Sequence, residues 1–177
     1  MIVSSDSTVA QRVERYRNHG IERTDDGSID FVAAGLNYRL TEFQAAIGLR
    51  QLGKFEGQLK TRLNLVELYY EALREVPCLS LPTQISGHTW QTFMVVLPER
   101  VDRQAIIEQL KAWGIESNLG AYGVHMLNYY SRKYGYVASD YPGAATLYTR
   151  GLALPLHAGM SDADVRKVCK ALVGSIA

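Results

Sequence analysis

The segment Gly35-Leu36-Asn37-Tyr38-Arg39-Leu40-Thr41-Glu42 sets an amide, a phenol and a guanidinium just ahead of a helix start. Unpaired backbone N–H groups and the helix dipole favour an anion at such a place. Arg39 can grip a phosphate or carboxylate through its planar fork, with Asn37 donating beside it. The same residues also admit a purely structural reading, in which Arg39 pairs with Glu42 on the surface and Asn37 turns the chain. Other spacings that could carry chemistry fail on their details. Gly48-Leu49-Arg50-Gln51-Leu52-Gly53-Lys54 fills the first seven places of a phosphate-cradling loop, but Phe55 stands where a Ser or Thr hydroxyl should meet magnesium, and the stretch follows a helix start instead of a strand. His19, His88, His125 and His157 show no pairing that could seat a metal. No Ser elbow, Cys–His signature or glycine-rich dinucleotide turn is present, and no carboxylate pair stands out by spacing.

These residues must be positioned by a chain of 177 residues that is 47% hydrophobic and 21% charged. A chain of that size and balance buries roughly 70% of its unfolded surface, which argues against disorder. Lys plus Arg number 19 against 18 Asp plus Glu, with no block of like charges, so a dedicated nucleic-acid binder is disfavoured. No apolar run reaches the roughly 18 residues of a bilayer crossing, and no signal peptide is apparent. Cys78 and Cys169 lie far apart and match no metal or redox spacing, so both are expected to be reduced core residues of a cytoplasmic protein.

The elements follow from periodicity. Met1-Ile2-Val3-Ser4 reads as a strand, and Asp6 or Ser7 then caps a helix with Val9, Val13 and Tyr16 as its apolar stripe, stopped at Gly20. Asp25-Asp26-Gly27-Ser28 is a turn joining two short extended arms. Thr41 and Gln44 form a capping-box signature, followed by the stripe Leu52, Phe55, Leu59, Leu63, Val66, Tyr70 and Leu73. One unbroken helix over 41–74 would run about 50 Å. Glycines cost about 1 kcal/mol each in a helix interior, so a break is expected near Gly53. Pro77 closes this region, and strands are expected at 78–81, 92–97, 115–119 and 152–156. Asp102 caps a helix with the stripe Ile106, Ile107, Leu110 and Trp113, stopped by Gly114. A last helix starts at Ser161 with Asp164, buries Val165, Val168, Cys169 and Leu172, and frays at Gly174. Residues 122–148 hold seven of the chain's 11 tyrosines, a density suited to a partly wet surface that packs against something else. The fold class is α/β, α+β in detail, with helices on a small, mainly antiparallel sheet. The expected division is 1–76, largely helical, and 77–177, a small mixed domain.

Several segments together resemble one family. Arg17-Asn18-His19-Gly20, the run from Gly35 through Leu52, His88-Thr89-Trp90-Gln91-Thr92-Phe93, Gly114 through His125, Leu154-Pro155-Leu156-His157 and the helix start at Met160-Ser161-Asp162 are similar, in this order, to the C-terminal half of the DegT/DnrJ/EryC1/StrS sugar aminotransferases. The resemblance implies a type I aminotransferase fold, the cofactor PLP, a homodimer, and amino transfer from an amino-acid donor to a nucleotide-linked keto-sugar. It implies that Asn37, with Arg39, reaches the cofactor phosphate of the neighbouring subunit, and that Tyr122 and His125 face the sugar. His19 matches a His-Gly pair of local structural value. It further implies that the Schiff-base lysine and the acid on the pyridine nitrogen lie upstream of the strand that Met1-Ile2-Val3 resembles. None of Lys54, Lys60, Lys111, Lys133, Lys167 and Lys170 matches the cofactor position. The chain alone is therefore expected not to transaminate and to need an N-terminal half or to act as a non-catalytic dimerisation or anion-binding module.

Overall fold

The computed structural model describes residues 2–176. Its first compact unit, Met1–Gly53, starts with a well-capped helix. The Asp6 carboxylate accepts the Thr8 and Val9 N–H groups, and α1 (Ser7–Arg17) follows. Thr24 and Ser28 close a turn around Asp26, so β1 (Ile21–Arg23) and β2 (Ile29–Phe31) pair antiparallel, Glu22 opposite Asp30. The unit closes with α2 (Glu42–Leu52), whose capping box is formed as expected: the Thr41 hydroxyl accepts the Gln44 N–H while the Gln44 side chain accepts the Thr41 N–H. Among the described residues of this unit only Gly20 is buried.

The second unit is Lys54–Ala177, and α3 (Phe55–Leu73) opens it. The helical region is thus broken at Gly53-Lys54, and the boundary expected at 76/77 falls inside the second unit. β3 (Phe93–Val96), α4 (Arg103–Ala112), β4 (Asn118–Leu119), α5 (Asn128–Tyr134), α6 (Pro142–Arg150), β5 (Gly151–Leu154) and α7 (Asp162–Ile176) follow. The sheet has the order β3-β5-β4, antiparallel throughout, with Phe93 opposite Leu154 and Leu119 opposite Leu152. Both α3 and α4 pack against α7. Their buried faces meet those of the strands in one apolar cluster that includes Leu65, Tyr69, Leu73, Phe93, Leu110, Leu152 and Leu172. Tyr69 stacks on Phe93 at 4.8 Å and donates its hydroxyl to the Pro155 carbonyl at 2.7 Å, so its polar end is satisfied inside the core. α7 starts as expected: the Asp164 carboxylate accepts the Ser161 N–H at 2.8 Å and the Ser161 hydroxyl accepts the Asp164 N–H.

Several sequence expectations need correction. Ile2 and Val3 are exposed and belong to no strand, and Met1 lies outside the described residues. The stripe of α1 is unburied, since among the described residues its unit has no buried apolar layer for it to cover. On α3 the buried residues are Leu65, Val66, Tyr69 and Leu73; Leu63 is exposed. Residues 78–81 make a single bridge, Ser80 to Val96, because Cys78 takes a left-handed φ of 62° directly after Pro77. Cys78 is exposed, and only Cys169 is a core thiol, its pKa pushed up to about 11 by burial. Trp113 is 58% exposed. Gly114, at φ 71°, ends α4 in a Schellman turn in which the Ile115 N–H reaches the Leu110 carbonyl, and Ile115 enters the core in place of the tryptophan. Only 118–119 of the expected 115–119 strand therefore pairs. The last strand stops at Leu154, before Pro155, and α7 continues past Gly174 to the buried Ile176.

Candidate functional site

In the first unit, the residues singled out by the sequence are assembled by a close crossing of two backbone segments. His19 and Gly20 both take left-handed φ values, 60° and 75°, which turns the chain out of α1. After the β1–β2 hairpin the chain returns beside its earlier course. The Leu36 N–H donates to the Tyr16 carbonyl at 2.8 Å, the His19 N–H to Leu36 at 3.0 Å and the Tyr38 N–H to Arg17 at 2.8 Å, and Asn18 bridges Asn37. A Cβ at position 35 would lie 2.1 Å from the Gly20 nitrogen, so glycine at this crossing is a steric requirement.

That crossing gathers Asn37, Arg39 and His19. Arg39 Nε donates to Asn37 Oδ1 at 3.0 Å, and Arg39 Nη2 lies 3.5 Å from His19 Nε2. The expected alternative, an Arg39–Glu42 pair, is not formed: the ion pairs of this unit are Arg15–Glu22 at 2.6 Å and Arg17–Glu14 at 3.5 Å. Arg39 lines an open groove of about 810 Å³ together with Arg15, Arg17, Arg23, Glu14 and Glu22. Its two glutamates are already paired with Arg15 and Arg17, so Arg23 and Arg39 carry the groove's uncompensated positive charge. The capping box ties up two polar groups at the start of α2, so capacity for an anion resides in the Arg39 fork and the Asn37 amide rather than in the helix end. His19 stood out in the sequence only as part of a His-Gly pair of local structural value. Its nearness to Arg39 depends on the returning backbone segment, twenty residues later.

In the second unit, Tyr122 precedes a short 3-10 turn, Val124–Met126, and His125 is its middle residue. Tyr122 is exposed, its ring 6.1 Å from Tyr148. His125 is only 6% exposed, and its ring meets Tyr141 edge-on at 5.1 Å. His125 Nε2 is buried and has no hydrogen-bond partner among the described residues. A buried polar atom left unpaired is destabilising and calls for a reason. Tyr141, which covers this histidine, was legible only as one of many tyrosines.

The arrangement matches known proteins along almost its whole length. Spore coat polysaccharide biosynthesis protein SpsC of Bacillus subtilis is 29% identical over 97% of this chain and 48% of its own. Helicobacter pylori PseC, an aminotransferase involved in the biosynthesis of pseudoaminic acid, superposes with a TM-score of 0.89 at 20% identity, covering 98% of this chain and 47% of that one. Spr1654 from Streptococcus pneumoniae, in its PLP form, superposes with a TM-score of 0.84 at 21% identity over 97% and 44% of the two chains. The chain spans about half the length of the curated relatives it matches. The structural matches are aminotransferases of the type I fold, as the sequence resemblance implies. The model of the DegT/DnrJ/EryC1/StrS aminotransferase family matches residues 1–173, and the chain belongs to that family.

Proposed function

We propose that this chain is the C-terminal portion of a PLP-dependent aminotransferase acting on nucleotide-linked keto-sugars. In this reading Asn37 and Arg39 bind the cofactor phosphate of a neighbouring subunit, and Tyr122 and His125 line the sugar side. The observation that carries it is the joining of Arg39 to Asn37 beside a groove where, among the described residues, no carboxylate pairs with the guanidinium. An amide and a planar cation side by side are a donor set that fits a phosphate. PLP, when bound, supplies the electron sink that amino transfer needs. This chain's own groups hold the phosphate, and the exposed Tyr122 meets the sugar, with the buried His125 packed beneath Tyr141 beside it. All six lysines are exposed and sit on helices or at a helix cap, which supports a lysine supplied from outside this segment. Leu36, Leu40, Phe43, Leu49 and Leu52 are each more than half exposed, which supports a partner subunit or an N-terminal half on this face.

The test mixes the chain with its N-terminal half, supplied on the same or a separate polypeptide. Amino transfer is expected in the mixture and not with the chain alone, and Arg39→Ala is expected to weaken PLP binding in the mixture by roughly tenfold. Borohydride fixation of PLP to one lysine of the isolated chain, together with turnover, overturns the proposal.

A further inference from the structure

Arg103 is a half-buried cation with no ion-pair partner among the described residues. It is the first residue of α4, where the Asp102 carboxylate is already turned to the Gln104 N–H, and the start of a helix is an unfavourable place for a positive charge. The guanidinium reaches away from its own helix. Its Nη1 donates to two main-chain carbonyls, that of Tyr148 and, at 3.2 Å, that of Gly151. Tyr148 lies in the last turn of α6, whose final carbonyls have no partner inside the helix, so the cation meets the negative end of that helix.

Both carbonyls lead to the segment that carries Tyr122. The Gly151 carbonyl also accepts the Gly120 N–H at 3.3 Å, two residues before Tyr122. The Tyr148 ring lies 6.1 Å from that of Tyr122, and a Cβ added to Gly123 would lie 3.0 Å from the Tyr148 Cβ. The Gly123 carbonyl in turn accepts the Met126 N–H at 2.8 Å, closing the turn that holds His125. Among the described residues no side-chain hydrogen bond holds 120–126, so the place of this loop depends on the groups that Arg103 ties together and on the Tyr141 ring against His125. We infer that Arg103 is a positioning residue for sugar binding: from α4, without touching the substrate, one guanidinium fixes both supports of the Tyr122 loop. This inference rests on the reading above, in which Tyr122 meets the sugar.

The test uses the chain mixed with its N-terminal half, with thymidine- and uridine-diphosphate 4-keto-sugars offered in turn as acceptors and glutamate as donor. Arg103→Met keeps the apolar stem and removes the donors. It is expected to raise KM for the keto-sugar roughly tenfold while KM for glutamate and the affinity for PLP stay within about twofold. Arg103→Lys, which keeps a cation with several donors, is expected to recover most of that loss. Added to Tyr122→Ala, Arg103→Met is expected to cost less than about a further twofold, because both act through one loop. Equal weakening toward sugar and glutamate, no weakening toward either, or losses that multiply in the double variant overturns the inference. Should Arg103→Met fail to fold, Tyr148→Leu carries the same test, since it removes the ring against Tyr122 and leaves both carbonyls in place. In the chain alone, the Gly120 and Met126 amides are expected to exchange roughly tenfold faster in Arg103→Met, with those of β3 and α7 unchanged. Exchange unaltered at 120 and 126, or quickened throughout the unit, also overturns it. The reading of the parent enzyme fails separately: if the unaltered mixture transfers no amino group, that reading falls, and the Gly120 and Met126 amides still decide whether Arg103 holds this loop.

Discussion

Asp26 holds the tip of the β1–β2 hairpin by accepting the Thr24 hydroxyl at 2.5 Å and the Ser28 N–H at 2.9 Å. These hydrogen bonds, with Thr24 the larger contributor, lower its pKa from 3.8 to about 2. Because the folded value lies below the unfolded one, the carboxylate's support of the turn is fully present above about pH 4 and is lost as pH falls through about 2. The Ser28 amide is therefore expected to stay protected from exchange at pH 4 and to lose protection near pH 2 relative to other hairpin amides, as NMR would record. Asp26→Asn should remove that acid step and loosen the turn at every pH. At the same scale, Asn37 and Arg39 were identifiable from residue type alone, whereas their partner was not. Position in the chain pointed to Glu42, and the fold supplied His19 because a backbone segment returning across two glycines brings it there.

Helices α1 and α7 show why element boundaries were more legible than their packing. Both have apolar residues at helical spacing and a polar cap at the start, and the sequence placed both N-termini within a residue. Yet Val9 is exposed and Leu172 fully buried, since periodicity gives a helix an apolar face without saying whether another layer covers it. The same gap explains Trp113, whose place in the stripe was taken by Ile115 through the Gly114 turn. It also explains the strand expected at 78–81, where β-propensity lost to a left-handed residue after proline. Leu172→Ala is expected to destabilise the second unit by roughly 2–5 kcal/mol through the cavity it leaves, and Val9→Ala by less than about 0.5 kcal/mol. Chemical denaturation curves of the two variants would check the contrast.

On the scale of the molecule, the whole buried apolar cluster belongs to Lys54–Ala177. Met1–Gly53 is held by caps, a hairpin and the 16–19 to 35–38 crossing, with no apolar interior of its own among the described residues. Composition could not reveal this division, because the apolar residues of α2 count toward the total without being buried. Native-state hydrogen exchange of the chain alone is expected to show strong protection in α3, β3, β5 and α7. The amides of 2–53 should exchange orders of magnitude faster and slow down when a partner covers Leu36 through Leu52. Equal protection in both units would contradict this division of stability.

The separation of the core from the Asn37–Arg39 groove has a practical consequence for finding ligands. A thermal-shift screen reports on whatever part of a molecule melts cooperatively, and here that part is the 54–177 unit. An anion seated on Arg39 would leave the main transition almost unmoved, while a ligand of the 54–177 unit would raise it. Hits from such a screen would be drawn from one half of the chain, and a ligand of the other half would be scored as inactive unless the probe were placed on the groove itself.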